Sequence, residues 1–125
     1  MHRMNAYSED LRKKIAERAL REAAQMHNRL DAAGALRAKG MAQGRQGHRD
    51  DAAGTLEEAL ALVRPMPYPY AEAKILREYG MLHVRAGEPE PARKRLSEAL
   101  EIFRRLGANK DAERTGRTLR ELGRT

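Results

Sequence analysis

Apolar residues recur every three or four positions along most of this chain, which is the spacing of one face of an α-helix. No stretch alternates apolar and polar residues as a half-buried strand does. The pattern therefore predicts an all-α fold with about six helices. They run from Ser8 to about His27, from Asn28 to Gly47, from Asp50 or Asp51 to Pro65, from Pro69 to Gly87, from Pro89 to Gly107, and from Asn109 or Asp111 to about Leu122.

The residues between the predicted helices indicate how the helices are connected. Gly47 and Gly87 each follow the last turn of a predicted helix, where a residue that tolerates positive φ commonly ends the helix. Pro69 and Pro89 suit a first helical turn, because the N–H that proline lacks has no partner there. The connections after Gly47 and Gly87 are about three residues long, and such short turns force neighbouring helices to be antiparallel. We therefore expect a stack of helix hairpins.

The chain also repeats itself with a period of 40 residues. When residues 33–64 are compared with residues 73–104, 13 of the 32 positions are identical. A period of this length is typical of stacked supersecondary units. The identical pairs are Ala33/Ala73, Leu36/Leu76, Arg37/Arg77, Gly40/Gly80, Met41/Met81, Arg45/Arg85, Gly47/Gly87, Ala52/Ala92, Leu56/Leu96, Glu58/Glu98, Ala59/Ala99, Leu60/Leu100 and Arg64/Arg104.

The repeat resembles a tetratricopeptide repeat, whose pattern is Trp-x2-Leu-Gly-x2-Tyr in the first helix, then Ala-x3-Phe in the second helix, then a closing Pro. Both units have the glycine followed twelve positions later by the alanine, so that two helices can cross closely. The departures are the absence of Trp, Lys39 at an apolar position, a closing Pro that is displaced to Pro65 and lost at Arg104, and a period of 40 rather than 34. The residues at the aligned positions are Leu36, Lys39, Gly40, Ala52, Leu56 and Ala59 in the first unit and Leu76, Tyr79, Gly80, Ala92, Leu96 and Ala99 in the second.

Half repeats flank the two full units. Ala16-x3-Leu20-x2-Ala23 has the second-helix signature, and Gly116-x6-Gly123 has the first-helix signature. The resemblance implies one domain, with a half repeat over residues 8–28, repeats over 29–66 and 67–107, and a capping helix or half repeat over 108–123. Residues 69–108 also resemble C-terminal repeats of LuxR/MalT-like bacterial regulators, in which such repeats are implied to serve signal sensing and self-assembly. The chain has no room for the ATPase or DNA-binding domains of those regulators, so we expect either an excised segment or a small stand-alone relative.

Composition removes several classes of protein. The chain has 125 residues with no Cys, so disulfides, a thiolate nucleophile and Cys-based zinc sites are excluded. No apolar run approaches the 18 residues of a membrane span, and the first residues lack the apolar core of a signal peptide. We therefore expect a cytoplasmic protein with no membrane partner.

The net charge of +7 is compatible with nucleic acid, an anionic membrane or an acidic protein partner. The basic residues are interleaved with 18 acidic ones rather than collected in a tract, and many form Glu/Lys or Glu/Arg pairs at i,i+4. A recognition helix and stacking aromatic residues are missing, which disfavours nucleic acid. An acidic protein or peptide is the expected partner, and nucleic-acid binding is the alternative.

Catalytic chemistry is not indicated. Gly40 to Gly47 lacks the Gly-Lys-Ser/Thr ending of a phosphate loop. His27, His48 and His83 do not have metal-ligand spacing. His83 occupies the position of a packed tyrosine in the repeat. We expect neither enzymatic activity nor a cofactor or metal.

The candidate site is a basic groove formed by the first helices of the two repeats. Arginines at this spacing can capture carboxylates bidentately. The alternative interpretation is a solvated, salt-bridged helix face. Tyr68 and Tyr70 are expected to join the repeats, and the apolar edges of the end helices suggest self-association. The predicted groove residues are Arg37, Met41, Arg45, Lys74, Arg77, Met81 and Arg85.

Overall fold

The computed structural model describes residues 2–124, with side chains from residue 8 onward, and this part of the chain contains five helices and no strand. The predicted all-α fold is confirmed. None of these helices combines the length and the apolar composition that a membrane span requires. The helices are α1 (His2–Arg45), α2 (Arg49–Val63), α3 (Pro69–Arg85), α4 (Pro89–Leu106) and α5 (Asn109–Gly123).

Glycines with positive φ separate three of the helices from the next. The φ angles are 83° at Gly47, 72° at Gly87 and 71° at Gly107, which side chains rarely adopt. Just after Gly47, the N–H of His48 donates to the carbonyl of Gln43 at 2.9 Å and satisfies one of the free carbonyls of α1. The predicted helix ends at these glycines are confirmed, and prolines occupy the first turns of α3 and α4 as expected.

The helices stack as two hairpins with α5 added at the end. The second half of α1 pairs with α2, and α3 pairs with α4; α2 then packs on α3, α4 on α5, and α1 also on α3. The core is built mostly from small and branched aliphatic residues. Its members are Ala33, Ala52, Leu56, Ala59, Leu60, Val63, Ala73, Ile75, Leu76, Tyr79, Leu82, Ala99 and Phe103.

Two glycine–leucine contacts hold the hairpins at close range. A Cβ atom added to Gly40 would lie 2.8 Å from Cδ2 of Leu56, and one added to Gly80 would lie 2.6 Å from Cγ of Leu96. Real Cβ atoms do not approach a neighbour so closely, so only glycine permits these crossings. The two contacts are separated by the 40-residue period of the sequence.

The sequence predicted two separate helices that meet at Asn28, but the structure has the single helix α1 there. The helix continues through Asn28 without a break, so the structure has five helices rather than about six. Asn is a weaker helix former than its neighbours, but it neither lacks an N–H nor needs positive φ, so it does not end a helix. Ser8, expected as an N-cap, lies inside α1 for the same reason.

We call residues 8–28 of α1 the arm. Its residues from 8 to 25 are all exposed, and at 1.5 Å per residue the arm is about 30 Å long. Ion pairs at i,i+4 run along it, including Lys14 to Asp10 at 3.4 Å and Arg18 to Glu22 at 3.0 Å. Such exposed pairs give local helix stability of only a few tenths of a kcal/mol each.

Candidate functional site

A groove lies between the second half of α1 and α3 and reaches α5. Its outer part is a cavity of about 200 Å³, and its inner part is a smaller cavity of about 40 Å³. Arg37 and Lys74 border both cavities, so the two are adjacent. The outer part is lined by Leu30, Asp31, Ala33, Gly34, Arg37, Ala71, Lys74 and Ile75, and the inner part by Arg37, Lys74, Arg77, Glu78, Phe103, Asp111 and Arg114.

Cations outnumber acids in the inner part of the groove. Four basic side chains line it, together with the carboxylates of Glu78 and Asp111. Asp111 is already engaged: it accepts a hydrogen bond from the Tyr70 hydroxyl at 2.8 Å, and its Oδ1 lies 3.5 Å from Nη2 of Arg114. The groove therefore keeps a net positive charge. Its concave shape between helices strengthens the electrostatic potential that an anion would experience there.

Arg77 is the most constrained of these cations. Its side chain is 17% exposed, and its Nη1 lies 3.3 Å from Oε1 of the adjacent Glu78. Its Nε is buried and has no hydrogen-bond partner among the described residues. Burial, and next the charge of Arg114, lower the pKa of Arg77. A buried donor without an acceptor is costly, so this position favours an incoming anion.

Arg37 and Lys74 have no carboxylate partner in the described part of the chain. Nη1 of Arg37 donates only to the sulfur of Met41, at 3.6 Å, which is a weak acceptor. The ammonium of Lys74 lies 4.9 Å from the ring centroid of Tyr70. Both cations are half-buried, so their charges are less hydrated than those of an exposed side chain.

The structure brings together three of the seven predicted groove residues, Arg37, Lys74 and Arg77. Of the others, Met41 and Met81 are half-buried, and Met41 contacts Arg37. Arg45 and Arg85 are exposed at the C-terminal ends of α1 and α3 and do not line either cavity.

Sequence reasoning did not find the wall that α5 contributes. Asp111 and Arg114 complete the inner cavity from that helix. The sequence did contain one indication of this wall, because Gly116 aligns with Gly80 at a shift of 36 residues and so relates α5 to α3. The same alignment could not have predicted the positive charge of Arg114, since it pairs Arg114 with Glu78.

A second polar cluster joins the two hairpins. The His83 ring stacks on Tyr79 with centroids 5.2 Å apart, and its Nδ1 lies 2.9 Å from Oε1 of Glu88. Arg49 forms an ion pair with the same carboxylate. The hydrogen bond from His83, and next that from Arg49, lower the pKa of Glu88. These groups satisfy one another, and the described residues contain no group of three side chains arranged to hold a metal ion.

The Tyr70–Asp111 hydrogen bond links α3 to α5 and gives a titration prediction. The bond to Asp111 is the largest of the effects that raise the pKa of Tyr70 above its usual value near 10. Neutral Tyr70 therefore stabilises the fold fully below that value, and the contribution disappears as pH rises through the raised pKa. We expect Asp111→Ala to lower the pKa of Tyr70, as measured by NMR of the tyrosine rings.

The control is Asp50→Ala, at an exposed aspartate of α2 that is not among the groups acting on Tyr70. It should leave the pKa of Tyr70 unchanged. An unchanged pKa of Tyr70 in the Asp111→Ala protein would contradict the role given to this bond.

Comparison of the chain with models of known families, with curated proteins and with solved structures gives no match. The resemblance to tetratricopeptide repeats therefore remains a prediction that rests on the residues described above.

Proposed function

We propose that this protein is a non-enzymatic helical-repeat module that binds an acidic segment of a partner protein in the groove. The observation that supports this most directly is the excess of half-buried cations in the groove, with the Nε of Arg77 lacking an acceptor. The resemblance of residues 69–108 to C-terminal repeats of LuxR/MalT-like regulators further supports a role as part of a bacterial regulatory or signalling protein of the cytoplasm.

The groove residues have distinct tasks in this proposal. Arg37 and Arg77 would each present a planar guanidinium, which matches a carboxylate with two parallel hydrogen bonds. Lys74 would add a compact charge at the junction of the two cavities. The apolar lining of the outer cavity, including Leu30 and Ile75, would take an aliphatic side chain beside the acidic residues.

Binding to a fluorescein-labelled octaglutamate peptide, measured by anisotropy, tests the proposal. We expect Arg37→Ala combined with Lys74→Ala to weaken binding at least about tenfold, because two partly dehydrated charges lose their contacts with carboxylates. The fold should be preserved, since both side chains lie at the surface of the groove.

The matched control is Lys94→Ala combined with Arg104→Ala. It also removes one lysine and one arginine, but these are exposed residues of α4. Both proteins thus lose the same net charge. If the two pairs weaken peptide binding equally, the peptide is attracted by overall charge and the groove is not its site.

The same assay distinguishes nucleic-acid binding. An oligonucleotide that is purely attracted by the net charge of +7 would bind with a steep dependence on salt. We expect the octaglutamate peptide to bind more tightly than single-stranded or duplex DNA, because the groove cations line a confined space between helices rather than a broad face that a phosphate backbone could follow. Tighter binding of DNA would contradict the proposal.

A further inference from the structure

The arm carries the sequence signature of a second helix but contacts no first helix. Leu20 has the same place in Ala-x3-Leu-x2-Ala as Leu56 in α2 and Leu96 in α4. Those two leucines are 1% and 0% exposed, whereas Leu20 is 71% exposed. Leu11 and Ile15 of the same helix are also largely exposed, at 50% and 59%. At about 100° per residue, Leu20 shares one face of the arm with Ala16 and Ala23, and Leu11 lies on the opposite face. The face with Leu20 is the one that a partner helix would cover.

Helix α5 carries the glycine signature of a first helix but has no second helix of the described chain packed over that glycine. Gly116 has the same place in Gly-x6-Gly as Gly40 and Gly80, which are each covered by a leucine. A Cβ atom added to Gly116 would meet only the Nη1 atom of Arg120, at 3.5 Å, among the described residues. No leucine of the described chain fills this position. Gly116 itself is buried, and the tip of a flexible arginine from the next turn is the atom nearest to an added Cβ.

We propose that a second copy of this chain supplies the missing helix, with the arm of one copy packing antiparallel on α5 of another. Leu20 would then occupy the position over Gly116 that Leu56 and Leu96 occupy over Gly40 and Gly80. The contact is heterologous, so it leads to a closed pair or ring or to a chain of copies, depending on the rotation between them. This proposal does not depend on the ligand of the groove.

The register of this contact agrees with the small residues on both helices. Ala16 and Ala23 lie four residues before and three residues after Leu20, as Ala92 and Ala99 do about Leu96. With Leu20 over Gly116, an antiparallel pairing would place Ala16 near Leu119 and Arg120, and Ala23 near Ala112 and Glu113. Leu119 is half-buried, and so is Ala112, which already packs against the core.

The register also brings opposite charges together. Glu17 lies one turn before Leu20, and Arg120 lies one turn after Gly116, so an antiparallel pairing places them side by side. Neither residue has an ion-pair partner among the described residues. Arg120 can therefore leave its position over Gly116 and pair with Glu17 of the other copy, which would remove the side chain nearest to an added Cβ of Gly116.

Static light scattering at tens of micromolar protein gives the first test. We expect a mass above the 14.1 kDa of one chain, and we expect Leu20→Glu to return the protein to a monomer. Leu20 is exposed, so this variant should keep the helicity of the parent. The control is Leu106→Glu, at an exposed leucine of α4 outside both surfaces, which should leave the mass unchanged.

Disulfide trapping tests the contact itself, because the chain contains no cysteine. Separately purified Leu20→Cys and Gly116→Cys proteins, one of them carrying a mass tag, are mixed and oxidised. We expect the mixed disulfide to form at least roughly tenfold faster than with Gly54→Cys in place of Gly116→Cys, since a docked helix raises the effective concentration. Gly54 is an exposed α2 position with open space around it, and so it matches Gly116 in residue type.

Both experiments can overturn the proposal. A parent protein that is monomeric throughout this concentration range excludes the contact. So does association that survives Leu20→Glu, or a mixed disulfide that forms equally fast at Gly54 and at Gly116.

Discussion

Phe103→Ala is expected to lower the free energy of unfolding by about 3–5 kcal/mol, the largest effect of any single substitution considered for this protein. Phe103 is completely buried, and its ring meets that of Tyr70 edge to face with centroids 6.0 Å apart. It also lines the inner cavity of the groove from α4. Its removal leaves a cavity where α3, α4 and α5 meet, in a core with no other phenylalanine.

Urea denaturation followed by circular dichroism measures this effect. The total stability of a small domain is about 5–15 kcal/mol, so the variant should be partly unfolded at moderate temperature. Leu106→Ala, in the same helix but 45% exposed, should change stability by less than half as much. Equal losses in the two variants would show that Phe103 does not hold the junction of the three helices.

Gly80→Ala is expected to lower the free energy of unfolding by about 1–3 kcal/mol, the usual cost of overpacking a core. The added methyl group would lie 2.6 Å from Cγ and 3.3 Å from the backbone nitrogen of Leu96. Leu96 is fully buried, so it cannot turn away without displacing its neighbours. Helices α3 and α4 would have to separate, although alanine is intrinsically the better helix former.

Gly54→Ala is the matched control, with an expected change of the opposite sign. Gly54 is in the middle of α2, is exposed, and has nothing within 4 Å of an added Cβ. Without a clash, the gain in helix propensity should raise the free energy of unfolding by about 0.5–1 kcal/mol. Thermal melts of both proteins measure the difference, and a stabilised Gly80→Ala protein would contradict the close crossing of α3 and α4.

The hairpins could be predicted from sequence because their determinants are local. Positive φ at Gly47 and Gly87, and a glycine opposite a leucine in each unit, require particular residue types at particular positions. Such requirements leave a visible period of 40 residues. The fold class and the helix ends of the repeats were therefore accessible before the structure.

The arm and the inner wall of the groove were not accessible, for two physical reasons. Asn28 is compatible both with the start of a new helix and with the interior of an old one, and only the surrounding chain decides. The site beside Arg77 depends on Arg114, which lies 37 positions further along, so no local pattern relates them. The 40-residue period does not determine whether the residue at such a tertiary contact is acidic or basic.

The unbroken backbone of α1 does not make this helix one cooperative unit. Its second half is protected by α2 and α3, so opening an amide there requires loss of tertiary packing. The arm has only the stability of an isolated helix, which is marginal at a length of about 20 residues, so its hydrogen bonds open by fraying. We therefore expect the amide protons of α1 to fall into a fast-exchanging and a slow-exchanging class, divided near Leu30, within one continuous helix.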